Sequence, residues 1–410
     1  MNRLMLVVSL AVLLTLGSCS KAVEGDGEAP IKAIKISSAV AAKVNDFSFR
    51  LFKQVQDQEP AGENIFISHL SLHMDLGMVL NGATGETRQE IFNALGMETG
   101  DLAAANQAYQ SLLKGLPTAD PKVELGLYNS LWYRNTWNLK EAYTSELQKS
   151  FEATVTPLDF KPSDKDDINQ WAYDKTHGKI PKVIDQISSE DVLFLLNALY
   201  FKGKWSSQFK KVATKPADFY LEDNRVKTVQ MMHQQHAFEI YHSADFDAMR
   251  LPYGNGQFAM TVILPKEGKK LQELMGQISG DTWQTIKDQS LESNVDLGLP
   301  RFSVPSFEVN LLPVMQKMGM QKAFTEMAEF SDMADSNQGH LFVTGIKQNT
   351  FLKVDEEGTE AAAVTTIGVG TTSAPQLERF ICDHPFGIII SEKSSDAILF
   401  MGTIMNPQSE

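Results

Sequence analysis

Apolar residues first recur at helical spacing at Val40, Val44, Phe47, Leu51 and Val55, three and four apart, which predicts a helix from about Ile36. Ser68 stands ahead of Leu72, Leu76, Val79 and Leu80 as an N-cap would, and Asn81-Gly82 closes that run. Thr87 is expected to open a second short helix that ends at Gly96. Leu102 to Leu116 and Leu139 to Phe151 share the helical period, whereas Val123, Leu125 and Leu127 alternate as a strand does.

The later half changes period. VLFLLNALYFKGKW is an almost continuous apolar run, as expected of a strand covered on both faces. Thr228 to Asp245, followed by MRLPYGNGQFAMTVILP, reads as strands around a Gly-Asn-Gly hairpin. NTFLKV alternates, and FGIII and AILFMGTI close the chain. No internal repeat is visible, and no long linker divides the middle. Helices first and mostly antiparallel strands later predict one α+β domain from residue 37 to the end, residue 410.

Composition adds bounds. A chain of 410 residues with 43% hydrophobic content can bury a large single core. Its formal net charge is −14, without a Lys/Arg cluster. That argues against nucleic acid, anionic membrane surfaces and heparin-like polyanions as partners.

The first residues stand outside the fold. MNRLMLVVSLAVLLTLGSCS begins with Arg3, runs apolar from Leu4 to Leu16 and ends in small residues, the pattern of an export signal. Leu16-Gly17-Ser18-Cys19 resembles a bacterial lipobox, which implies cleavage after residue 18 and a lipid on Cys19. Residues 19–36 would then be a polar tether, and the protein would be anchored to the cell envelope, at the outer membrane. The acids soon after the cysteine resemble surface-export signals. Cys382 is the other cysteine, so no intrachain disulfide is expected, and its apolar flanks predict a buried thiol.

A search for catalytic chemistry finds little. There is no Gly-x-Ser-x-Gly elbow and no P-loop, and Gly368-Val369-Gly370 lacks the third glycine of a dinucleotide fingerprint. His233 and His236 are three apart in a strand pattern, so they point to opposite faces, and a polar strand end or turn is expected rather than a metal pair. His69 and His73 can share a helix face, but their core-like flanks predict hydrogen-bonded core histidines. No catalytic machinery, metal or cofactor is expected.

One stretch resists this inventory. After Asp355-Glu356-Glu357-Gly358, the chain runs from Ala361 to Leu377 without a charge. Thr359, Ala361, Ala363, Thr365, Ile367 and Val369 form one alternating set, small at first and then β-branched. No proline interrupts Thr359 to Ala374, so each backbone N–H can join a ladder. The segment can be a solvated loop, and it can be a strand.

Its neighbours carry a resemblance. NIFISHLSL (64–72), INQWAYDKTHGKI (168–180), NALYFKGKWSSQF (197–209), LPYGNGQFAMTVILP (251–265), LPRF (299–302), EEGTEAAA (356–363), DHPF (383–386) and ILFMGTI (398–404) resemble, in order, motifs of the serpin family. The resemblance spans Ile36 to Pro407 and implies a fold of three β-sheets and about nine helices. It further implies that residues 356–378 are an exposed reactive-centre loop. A protease that cuts such a loop becomes trapped as an acyl-enzyme when the loop inserts as a new strand of the largest sheet. On this resemblance Glu356, Glu357, Gly358, Thr359, Glu360, Ala361, Ala362 and Ala363 form the hinge, whose small residues suit an inhibitory member. Ser68, Ser71 and Asn197 match a polar cluster beneath the sheet, with Gln348 where a histidine is common. Trp205 and Glu357 match positions at the sheet's top, and His69 departs from the family's usual proline.

The family's loop length places the scissile bond at Thr372-Ser373, with Thr371-Thr372 and Val369-Gly370 as alternatives. These residues are small and neutral, which predicts elastase-like or subtilisin-like targets and not trypsin-like ones. The implied partner is a serine protease, bound covalently by a monomer; a papain-like cysteine protease is the alternative target. The rival readings are a non-inhibitory member serving as a binding protein or chaperone, and a lipid-anchored solute-binding module.

Overall fold

A computed structural model describes residues 31–335, 339–359 and 377–408. Among them are nine α-helices: α1 (Ser38–Gln58), α2 (His69–Gly82), α3 (Gly85–Leu95), α4 (Leu102–Gly115), α5 (Glu141–Phe151), α6 (Asp164–Lys175), α7 (Leu271–Met275), α8 (Gly280–Gln289) and α9 (Leu312–Lys317). Helices dominate the first part of the chain and strands the rest, as the change of hydrophobic period predicts.

The strands form three sheets, two of which share a strand. One is six-stranded and contains β2 (Val123–Arg134), β3 (Thr154–Leu158), β4 (Leu193–Lys204), β10 (Phe302–Asn310), β11 (Lys347–Asp355) and the short β12 (Gly358–Thr359). Its order is β10-β11-β12-β4-β2-β3. The second runs β1 (Ile65–Ile67), β15 (Ile398–Ile404), β14 (Phe386–Glu392), β8 (Phe258–Pro265), β7 (Phe246–Tyr253) and β6 (Val226–His242). The seventeen residues of β6 also serve the third, where it pairs with β5 (Lys215–Tyr220) and β9 (Leu291–Pro300), and β9 with β13 (Glu378–Ile381).

The continuous apolar run of β4 has two covers. Leu193 and Leu195 pack on the large central core, while Phe194 and Leu196 pack on a second cluster with Trp132, Phe160 and Ile168, the last from α6. Alternating residues thus meet different cores, so the strand reads as apolar throughout. Its first residues are nonetheless only half-buried.

Three sequence expectations need correction. α3 starts at Gly85 rather than Thr87, because the Glu329 carboxylate, far along the chain, accepts the backbone N–H of Glu86 at 2.7 Å and of Thr87 at 3.4 Å. A cap from a distant residue leaves no local pattern. His233 and His236 lie within β6 rather than at a strand end, and no metal-binding group of three or more His, Cys, Asp or Glu exists among the described residues. His69 is a core residue without a hydrogen-bond partner on either ring nitrogen, whereas His73 Nδ1 lies 2.7 Å from the Tyr109 hydroxyl.

Burial lowers both imidazoles to about 3, with Arg50 adding to the effect at His73. Each unfolded imidazole takes a proton below about 6.5, while the folded one refuses it until about 3. The stability this represents is complete above the unfolded value and drains as pH falls, at about 1.4 kcal/mol per histidine per pH unit. His69→Leu keeps the volume and removes two unpaired polar atoms, so it should raise the urea midpoint at pH 7.5 by about 1 kcal/mol equivalent. Its advantage should widen at pH 5; parallel losses in the two proteins would refute this account.

Candidate functional site

The chain turns at Glu356-Glu357 and re-enters the six-stranded sheet as β12. Thr359 pairs with Val354 of β11 and with Gly203 of β4; Gly358 pairs with Asp355 and with Lys204. Gly358 has φ +150°, and a Cβ there would lie 2.0 Å from the Gly203 carbonyl oxygen. Only glycine makes this entry without displacing β4.

Trp205 holds the turn from beneath. Its backbone N–H donates to the Glu357 carbonyl at 3.0 Å, and its indole N–H donates to the Asp355 carbonyl at 3.0 Å. The Phe209 N–H donates to the Glu356 carbonyl at 2.9 Å. The indole ring stacks on Tyr253 with centroids 4.4 Å apart, and the Tyr253 hydroxyl shares a buried hydrogen bond of 2.8 Å with Thr359 Oγ1.

Two ion pairs complete the clamp. Glu356 is buried, and its Oε1 accepts from Arg301 Nη2 at 2.5 Å and from Thr214 Oγ1 at 2.6 Å. Burial pushes this carboxyl up, but the hydrogen bonds from Arg301 and Thr214 outweigh it and hold the group below its usual range. Glu357 Oε1 accepts from Lys211 Nζ at 2.7 Å. Asp355 is pushed up, chiefly by burial, with the charges of Glu357 and Glu356 adding to it.

Farther down the sheet, a polar cluster divides into two arms. On the β4 side Ser71 Oγ donates to Asn197 Oδ1 at 2.6 Å, Asn197 Nδ2 donates to Asn129 Oδ1 at 2.6 Å, and Asn129 Nδ2 donates to the Phe151 carbonyl at 2.7 Å. On the β11 side Gln348 bonds the Ser68 backbone twice, accepting its N–H and donating to its carbonyl, both at 2.8 Å. Ser68 Oγ caps α2 by accepting the Ser71 N–H and donates to the Leu399 carbonyl at 2.9 Å.

These arms flank a slot. Among the described residues β4 pairs only with β2 and β12, and β11 only with β10 and β12. Below Gly203 and Val354 the two strands therefore share no ladder. Each sits on α2 through its own arm, so they can separate or accept a strand without breaking a bond between them.

Ser68, Ser71, Asn197 and Gln348 thus gather under the slot, with Trp205, Glu356, Glu357, Gly358 and Thr359 at its top. Glu360, Ala361, Ala362, Ala363, Val369, Gly370, Thr371, Thr372, Ser373 and Cys19 lie outside the described residues. Asn129, Tyr253, Arg301, Lys211 and Thr214 were not legible as site residues. Asn129 carries a signal, a buried amide amid the apolar alternation of β2. The others come together only through the sheet pairing.

Comparisons with known proteins agree with this geometry. Residues 42–407 match the family model described as Serpin (serine protease inhibitor). The chain is 33% identical over 384 residues to Ipis-1 of Ixodes persulcatus, covering 90% of this chain and 99% of that protein. It is 34% identical over 385 residues to Serpin B13 of Homo sapiens, covering 88% and 97%. Among solved structures, the native state of the thermophilic serpin tengpin aligns with TM-score 0.84 and 26% identity, covering 92% of this chain and 97% of that one. Human thyroxine-binding globulin complexed with thyroxine aligns with TM-score 0.83 and 26% identity, covering 90% and 99%.

Proposed function

The chain belongs to the serpin family, and from that premise we propose that it is a single-use inhibitor of serine endopeptidases that prefer small neutral residues. The observation that carries this reading is β12. Thr359 already occupies both ladders, while the strands below it have none between them. If the register continues residue by residue, Ala361 comes opposite Phe201 and Leu352, Ala363 opposite Leu199 and Thr350, and Thr365 opposite Asn197 and Gln348. Small residues then pass the upper slot, and a hydroxyl arrives between the two polar arms, where amides can receive it.

The chemistry belongs to the protease. Its serine oxygen attacks the scissile carbonyl, an ester forms, and the segment beyond the bond leaves with a new amine. The segment before the bond then zips into the slot and carries the esterified protease with it. Val369 to Ala374 offers small neutral side chains at the cut, which favours elastase-like or subtilisin-like enzymes over those with an acidic pocket. A papain-like enzyme would form a thioester by the same route. We further place the protein at the outer membrane, tethered by a lipid on Cys19.

The experiment is a denaturing gel of the protein after incubation with elastase. A band near the summed masses supports trapping, and mass spectrometry of the released peptide locates the bond within 369–373. Clean cleavage without a complex refutes it and favours a carrier role, of the kind the likeness to thyroxine-binding globulin suggests. For the anchor, the full chain should partition into detergent and Cys19→Ser should not.

A further inference from the structure

The lower end of the slot opens into a cavity of about 380 Å³. That volume falls at the small end of the range for small-molecule sites, about 300–1,000 Å³. Leu72, Leu76, Leu195, Phe330 and Val343 are among its walls, contributed by α2, β4 and the chain leading into β11. The charges at its rim are occupied. Lys347 bridges Asp185 at 2.9 Å and Glu308 at 3.2 Å, and Thr344 Oγ1 donates to Asp191 at 3.2 Å.

Asp75 is different. It stands on α2 among these apolar walls and lines the cavity. Its Oδ1 is buried and has no hydrogen-bond partner. A helix that supports a core position of this kind has no structural need for a carboxyl, since Leu72, Leu76 and Val79 around it are aliphatic. An unpaired buried carboxyl oxygen costs stability where it stands.

We propose that this cavity binds a lipophilic amine, with Asp75 receiving the ammonium group and the aliphatic walls covering the apolar body. The amine enters as its ammonium, the carboxyl releases its proton to solvent, and an ammonium N–H donates to Oδ1, so both partners end paired. Burial alone raises the Asp75 carboxyl well above its usual range, and an entering cation reverses that effect. An alcohol of the same shape can make the hydrogen bond without the charge. A carboxylate brings a second acid and is repelled. One consequence rests on the inhibitory reading: the occupied cavity lies where β4 and β11 must accept the new strand, so a bound amine should slow trapping.

The test uses 4-phenylbutylamine, 4-phenylbutan-1-ol and 4-phenylbutanoate as probes, titrated calorimetrically into the uncleaved protein with no protease present. The amine should bind at least tenfold more tightly than the alcohol, and the acid most weakly. Asp75→Asn and Asp75→Leu should each weaken the amine at least tenfold, and Asp75→Asn, which keeps a hydrogen-bonding group, should leave the alcohol within about threefold. Equal binding of the three probes, or an unchanged amine affinity in both variants, overturns the proposal. A gel with elastase is run in parallel. Amine binding without a protease complex would sink the inhibitory reading alone, and a complex without amine binding would sink this inference alone.

Discussion

Thr359→Arg is expected to be cut by elastase as fast as the parent and to trap almost none of it. In the native fold Thr359 is 2% exposed, flanked by Gly203 and Val354, with its hydroxyl on Tyr253. An arginine there must either bury a cation beside the stacked rings of Tyr253 and Trp205 or withdraw the hinge from the sheet. The acids nearest in sequence offer little relief, because Glu356 is committed to Arg301 and Glu357 to Lys211. An uncompensated buried charge costs about 3–5 kcal/mol. If most of that cost falls on the barrier to insertion, insertion slows by a factor of about 10² or more. Trapping is a race between insertion and hydrolysis of the ester, so such a delay lets nearly every acyl-enzyme escape. The moles of inhibitor consumed per mole of protease should rise from near one to beyond about ten. Thr359→Val, which loses one hydroxyl and keeps the shape, should remain an inhibitor. An arginine variant that traps protease at the parent's stoichiometry would show that insertion does not begin at residue 359.

The sequence made the elements legible where the period was local. The cap of α2 at Ser68 and its continuation to Gly82 follow from a hydroxyl before a helical run, and Gly96 ends α3 in the left-handed conformation as expected. The failures share one cause. The start of α3 depends on Glu329, 243 residues beyond Glu86 along the chain. The clamp on Glu356 is assembled from Thr214 and Arg301, which lie in different strand connections. Local spacing cannot register partners that only sheet pairing brings together. The resemblance to a family supplied Ser68, Ser71, Asn197, Gln348 and Trp205, yet it did not supply Asn129, which continues the β4 arm from Asn197 to the Phe151 carbonyl. Nor did it foresee that Asp75 would face a cavity rather than a sealed core.

Arg301→Met should destabilise the domain by about 3 kcal/mol at pH 7.5, and more than Glu356→Gln does, although both break the same ion pair. The asymmetry follows from exposure. The Arg301 side chain is 39% exposed and water can solvate it when its partner is gone, whereas Glu356 is 2% exposed and cannot reach water. Methionine keeps much of the arginine stem, so the loss is chiefly that of the charge. The pH dependence gives a second reading of the same clamp. In the parent, burial raises the Glu356 carboxyl, but Arg301 and Thr214 together hold it below its usual value. Such a group contributes stability above the unfolded carboxylate value, and that stability is lost as pH falls through the folded one. Without Arg301 the largest opposing hydrogen bond is gone, the carboxyl rises toward its protonated form, and ionisation at neutral pH becomes a greater cost that acid relieves. Parent and variant should therefore differ most at pH 7.5 and draw together as pH falls, converging only below the depressed value that Arg301 and Thr214 give Glu356 in the parent. Asp355, pushed up chiefly by burial, is present in both proteins and differs between them only through its smaller coupling to the Glu356 charge. Urea midpoints at pH 7.5, 5.5 and 4 measure this directly. A gap that stays constant across the series, or a Glu356→Gln loss as large as that of Arg301→Met, would mean that the pair does not hold the hinge by charge.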